Sequence, residues 1–206
     1  MKHKLWKFID DAGTFASESA HQINTLYFPL CNPAPIMSSV SPDLHGDIKT
    51  DYNSFLLEPV SRIGLSNLKS SRNFWIYINP ALPKNNSSKY KMRGGVSPPK
   101  IWSATGVSKE PSRLEDKFNL EAGLLWHKIT RQNKKIGLKA EITSFIPSSD
   151  DPVEIMLVNI TNVSKRPIKF IPIAAIPVFG RSAHNLHDHR HVTSLFGRMK
   201  KEKFGV

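Results

Sequence analysis

Residues 184–191 read His-Asn-Leu-His-Asp-His-Arg-His, directly after the strand-like run 170–179. Four imidazoles, a carboxylate and a guanidinium within eight residues are a dense source of hydrogen-bonding and titratable chemistry. Polar groups gathered at a strand end point to a site rather than a core. The chemistries open to such a loop are metal, sugar, phosphate or nucleic-acid binding. His187, His189 and His191 follow i, i+2, i+4 spacing, which on a strand directs them to one face within reach of one ion. Arg181 and Arg190 stand nearby, however, and cations raise the cost of placing a metal there. No HExxH pattern occurs, and no glutamate accompanies the run. The expectation is a hydrogen-bonded loop that presents its arginine and histidine side chains to an oxygen-rich ligand, without a metal.

Two other constellations bear on the same chemistry. Asp43, His45, Asp47, Lys49 and Thr50 form a row suited to hydroxyls or phosphate. The spacing favours instead a loop held rigid by Asx turns and its own hydrogen bonds. Arg72 precedes the aromatic strand pattern at 73–78. An arginine beside aromatic faces suits a carbohydrate, but the residues favour a structural ion pair next to a core Phe74 or Trp75. Arg72 and Asp47 are therefore lesser candidate ligand-binding residues. No G-x-S-x-G elbow, P-loop or GxGxxG is present. Asp10-Asp11 and Asp150-Asp151 both fall in turns, so neither is an acid–base pair, and no catalytic residue is expected.

The elements that must position these groups are strands. Ile136, Leu138, Ala140 and Ile142 alternate with Lys139, Glu141 and Thr143, the period of a strand with one wet face. Segments 120–130 and 135–147 flank a connection at 131–134. Residues 153–162 are almost uniformly apolar, as a central strand would be. Turn chemistry fills 147–152 and 162–167, and the strand-like run 168–179 carries Pro172 and Pro177, which imply an edge position or bulges. Earlier in the chain, 5–15 suggests a short strand or hairpin arm, 37–51 a long ordered loop, and 55–60, 73–78 and 101–105 strands. Residues 79–99, rich in Asn, Ser, Lys, Pro and Gly, are expected to form a mobile surface excursion. Short strands with turn signals every ~10 residues predict a mainly β fold, an antiparallel sandwich with long loops.

Composition sets the bounds. The 206 residues suffice for one large or two small domains, and 39% apolar content with 15 Pro and 11 Gly suits a turn-rich β protein. A net charge of +12 favours a polyanion partner. The lysines are nevertheless scattered and not interleaved with aromatics, so nucleic acid is not expected. The single cysteine, Cys31, excludes an intrachain disulfide and fits a reducing compartment, the cytoplasm. Phe8-Ile9-Asp10-Asp11 breaks any leader-like apolar stretch after the basic first residues, and no run approaches the ~20 apolar residues of a membrane helix.

Several strings in order resemble the N-terminal region of the family 94 glycoside phosphorylases: residues 25–61, beginning TLYFPLCNPAP; 70–78, SSRNFWIYI; 101–106, IWSATG; and 121–195, from EAGLLWHKITRQ through HNLHDHRHVTSL. Within that family they look most like the 1,2-β-oligoglucan phosphorylase group, rather than its cellobiose and chitobiose phosphorylase relatives. The resemblance implies a β-supersandwich, here the single domain 1–206 in truncated form, which in the family packs on a helical linker and an (α/α)6 barrel. It implies cleavage of a β-glucoside by inorganic phosphate as co-substrate, with inversion and release of α-glucose 1-phosphate. The general acid belongs to the barrel, so this chain is expected to be non-catalytic alone and to use no cofactor. Implied partners are a β-glucan oligosaccharide, the barrel domain and a second copy in a homodimer. The chain has Asn32-Pro33-Ala34-Pro35 where the family reads Asn-Glu-Ala-Gly, and His184 and His187 where it has Asp and Arg. His189, Arg190 and His191 are the loop residues that carry over. A stand-alone carbohydrate-binding or interaction module is the alternative reading.

Overall fold

A computed structural model describes residues 5–23, 26–59, 71–78, 100–106, 116–182, 200–201 and 203. Among them the chain runs through β1 (Lys7–Phe8), β2 (Phe15–Ser17), a 3-10 turn (Ala20–Gln22), β3 (Phe28–Cys31), β4 (Met37–Val40), β5 (Ile48–Asp51), β6 (Ser54–Leu57) and β7 (Asn73–Ile78). It continues through β8 (Lys100–Ser103), β9 (Lys117–Gly123), β10 (Trp126–Asn133), β11 (Leu138–Phe145), β12 (Ile155–Asn162), β13 (Phe170–Ala175) and β14 (Arg181–Ser182). All pairings are antiparallel. A six-stranded sheet has the order β1-β2-β9-β10-β11-β12, a five-stranded sheet β14-β6-β5-β4-β3, and a three-stranded sheet β13-β7-β8. The expected mainly β, antiparallel sandwich is the fold.

The register of β9 to β12 shows why these residues form a sheet. Leu120, Ile129, Ile142 and Val158 lie opposite one another in one row across four strands. Phe118, Arg131, Ala140 and Ile160 form the next, and Ala122, His127, Ser144 and Met156 the third. Period-two alternation turns all three rows to the inner face, while Lys128, Thr130, Lys139 and Glu141 stay partly in water. That face packs against Leu30, Val40, Ile48 and Leu57 of the five-stranded sheet and Ile76 and Trp102 of the three-stranded one, forming one core. Each fully buried Leu or Ile contributes about 1.5–3 kcal/mol of transfer free energy.

The structure corrects four expectations. Residues 37–51 are not one loop: β4 and β5 flank a turn, because small Ser38 and Val40 bury their inner sides despite the polar composition. The segment 120–130 is divided by a tight turn at Leu124-Leu125, where Leu125 adopts φ 60°. Its two leucines hide the turn chemistry. The following connection lies at 134–137 rather than 131–134, since Gln132 and Asn133 still pair with Lys139 and Leu138. Finally, β12 ends its sheet rather than occupying its centre. The proline-bearing β13 is a sheet edge, as expected. The expected excursion at 79–99 lies outside the described residues.

Candidate functional site

Arg72 stands immediately before β7, where the three sheets meet. Its Nε donates to Glu154 Oε1 at 2.6 Å and its Nη2 to Glu154 Oε2 at 2.9 Å, a two-pronged ion pair with the residue just before β12. Nη1 donates to the Gly46 carbonyl at 2.9 Å, and Nη2 also to Ser38 Oγ at 2.8 Å and, at the 3.5 Å limit, to the Asp47 carbonyl. Both charged side chains are buried. The flat guanidinium fork matches a carboxylate on one side and backbone oxygens on the other, geometry that lysine does not supply. One side chain thereby ties β4 and the β4–β5 turn to β7 and β12.

The β4–β5 turn is rigid by its own bonds. Ser41 Oγ donates to Asp43 Oδ1 at 2.8 Å and accepts the His45 N–H at 3.0 Å. His45 Nδ1 lies 3.2 Å from Asp43 Oδ1. Leu44 takes φ 62° and Gly46 φ 138°, and a Cβ on Gly46 would collide with the Ser39 carbonyl, so only glycine fits there. Asp47, a half-buried residue, accepts at Oδ1 from Ser39 Oγ at 2.7 Å. Exposed Tyr27 feels Asp43 and Asp47: desolvation first, then the two carboxylates, push its phenol above the ordinary value.

His127, on the inner face of β10, is fully buried with its ring centroid 5.0 Å from that of Phe28. Neither ring nitrogen has a hydrogen-bond partner among the described residues, nor has Ser144 Oγ opposite it. Desolvation, helped by the Arg72 charge and opposed by Asp43, lowers its pKa from 6.5 to about 3, so it is neutral at physiological pH.

Beside Arg72 opens a largely apolar groove of about 680 Å³. Met156, Val158 and Ile160 of β12 form one wall, and Phe170, Pro172 and Ala174 of β13 with Ile176 form the other. Ile48 and Phe74 also line it, and the Arg72–Glu154 pair supplies its polar groups.

Of the residues singled out from sequence, Arg72 and Asp47 are thus brought together. Arg72 stands as the structural ion pair in the core, and half-buried Asp47 contributes its backbone carbonyl to the same network. Arg190, His189 and His191, with the whole loop 184–191, lie outside the described residues. Sequence reasoning missed Glu154 and His127. Glu154 had a signal: it is a lone carboxylate at the start of an apolar strand, which asks for a buried cation. His127 had one too, an imidazole at an inward position of an alternating strand. Among the described residues no group of three or more His, Cys, Asp or Glu side chains is placed to hold a metal ion. No helix there is long and apolar enough to cross a membrane. No protein-family model matches the chain, and no curated protein matches it significantly.

Proposed function

We propose that the chain is the N-terminal, non-catalytic sandwich domain of a β-glucan phosphorylase, nearest the 1,2-β-oligoglucan group. One observation carries this reading. The strings that bear the resemblance are far apart in sequence, yet Ser38, Gly46 and Asp47 from the first, Arg72 from the second and Glu154 from the last converge on one buried network. Strings that build one domain together are what the resemblance to a single N-terminal domain implies, and their meeting in one network supports the reading. In this role the sandwich orients hydroxyls through Asp47 and the residues of loop 184–191, a positioning contribution rather than proton transfer. The proton for the departing glucosyl oxygen would come from the barrel, and phosphate would be the attacking group.

The test is phosphorolysis of a β-1,2-glucan by the purified chain, read as glucose 1-phosphate released, together with calorimetric titration by the same glucan. The reading expects no turnover and weak or no binding by the chain alone. Turnover above background would overturn it. Sub-millimolar glucan binding without a barrel would favour the stand-alone carbohydrate module instead.

A further inference from the structure

β12 has the composition of an interior strand and the position of an edge. Its sequence, Ile-Met-Leu-Val-Asn-Ile-Thr-Asn, contains no charge and no proline, the devices that normally blunt an open edge. It pairs with β11 through all eight of its residues and ends the sheet among the described residues. In an antiparallel ladder every second residue of such a strand aims its N–H and C=O away from its single neighbour. Its groove face is apolar, and the other face is apolar over its first half. Met156, Val158 and Ile160 line the groove, while Ile155 and Leu157 on the other face are 38% and 51% exposed. Across the groove β13 lacks a ladder donor at Pro172, which leaves β12 as the better template.

The charge around one end of the groove is one-sided. Ile160 and Phe170 are joined by the loop 163–169, which carries Lys165, Arg166 and Lys169, all exposed. The loop is fixed: Asn162 Nδ2 and Ser164 Oγ both donate to the Arg166 carbonyl at 2.8 Å. The β10–β11 turn packs on it, with the Val163 N–H donating to the Gly137 carbonyl at 2.8 Å, and adds exposed Lys134. The nearby carboxylate, Glu141, is engaged by Lys139 at 2.9 Å.

We propose that the open edge of β12 and the groove beside it dock an extended polypeptide segment, acidic residues followed by an aliphatic run, as the next strand of the six-stranded sheet. Main-chain bonds to β12 would supply the ladder, and aliphatic side chains at alternate positions would fill the groove. Antiparallel entry places the segment's N-terminal end beside the basic loop, which is why the acidic residues come first. The inference goes beyond the glucan reading and stands or falls without it.

The test uses the full chain and a fluorescein-labelled peptide matched to the eight residues of β12, with Asp and Glu preceding Val and Ile. The comparison peptides carry lysine for each acid, or the reversed order. Anisotropy should give tightest binding for the acidic-first peptide, weakening with salt, and amide exchange should slow at alternate residues of β12. Lys165→Glu with Arg166→Glu, both on the exposed loop, should weaken binding by about tenfold. Leu157→Lys, at an exposed position, should leave the groove and its binding in place. Absence of binding, equal binding of the lysine or reversed peptide, or no protection of β12 overturns the proposal. So does self-association in sedimentation that protects the same alternate amides of β12 without peptide and persists in Leu157→Lys, because the occupant would then be a second copy.

Discussion

Acidification should destabilise this fold through one residue in particular. His127 is neutral in the folded chain, with its pKa lowered from 6.5 to about 3 by burial and by Arg72. The unfolded chain therefore binds a proton at this residue over a pH range in which the folded chain does not. The contribution is absent above pH 6.5. Below it, stability falls as pH falls, by about 1.4 kcal/mol per pH unit, until the folded group also titrates near pH 3. Between pH 7 and two units below the unfolded value the loss is about 3 kcal/mol, a large share of a typical domain's stability. Carboxylates also contribute in acid, so the informative quantity is a difference. His127→Leu removes the titration and two buried nitrogens that have no partner among the described residues. At pH 7 the variant should lie within about 1.5 kcal/mol of the wild type. Urea unfolding at both pH values should show the gap moving by about 3 kcal/mol in the variant's favour on acidification. Imidazole resonances of His127 should stay in the neutral form down to about pH 4. Parallel stability profiles for the two proteins, or a His127 resonance that titrates near 6.5, would refute the assignment.

Two further predictions concern the packing that holds the site. Arg72→Met or Glu154→Gln alone should cost about 3–5 kcal/mol, because each strands a buried partner, while the double variant should cost less than the sum in a urea double-mutant cycle. Gly106→Ala should destabilise more than Gly13→Ala: both glycines have φ near +80°, but a Cβ on Gly106 collides with the Arg131 guanidinium and one on Gly13 meets nothing within 4 Å. Thermal melts should show Gly13→Ala costing about 1 kcal/mol from its backbone conformation alone and Gly106→Ala clearly more.

How much of this was legible in the chain depended on whether a residue's role was local. The inner face of β11 could be read directly, since Leu138, Ala140 and Ile142 alternate with charged and polar neighbours and the structure buries them. The hairpin connection at 147–152 and the turn at 162–167 were equally plain, because Asn162, Ser164 and Asp151 bond within a few residues. The β4 strand was missed because the polar Ser38 is buried against a partner, Arg72, 34 residues away. The position of β12 was missed for a related reason. Uniform apolarity says that both faces seek cover, and says nothing about which neighbour supplies it. In the candidate site, Arg72 and Asp47 were named without their anchor, because Glu154 is 82 residues from Arg72 and no local pattern joins them.

That separation has a bearing on how the chain assembles. The oxygens that hold Arg72 come from 26, 34 and 82 residues away, so the charge finds its full shell only when segments from three sheets have come together. During synthesis, the arginine leaves the ribosome long before its carboxylate does. In a chain shorter than residue 154 the arginine lacks its carboxylate, and burying it in the core is costlier there than in the complete network. The ionic lock of this sandwich thus has its second half encoded late.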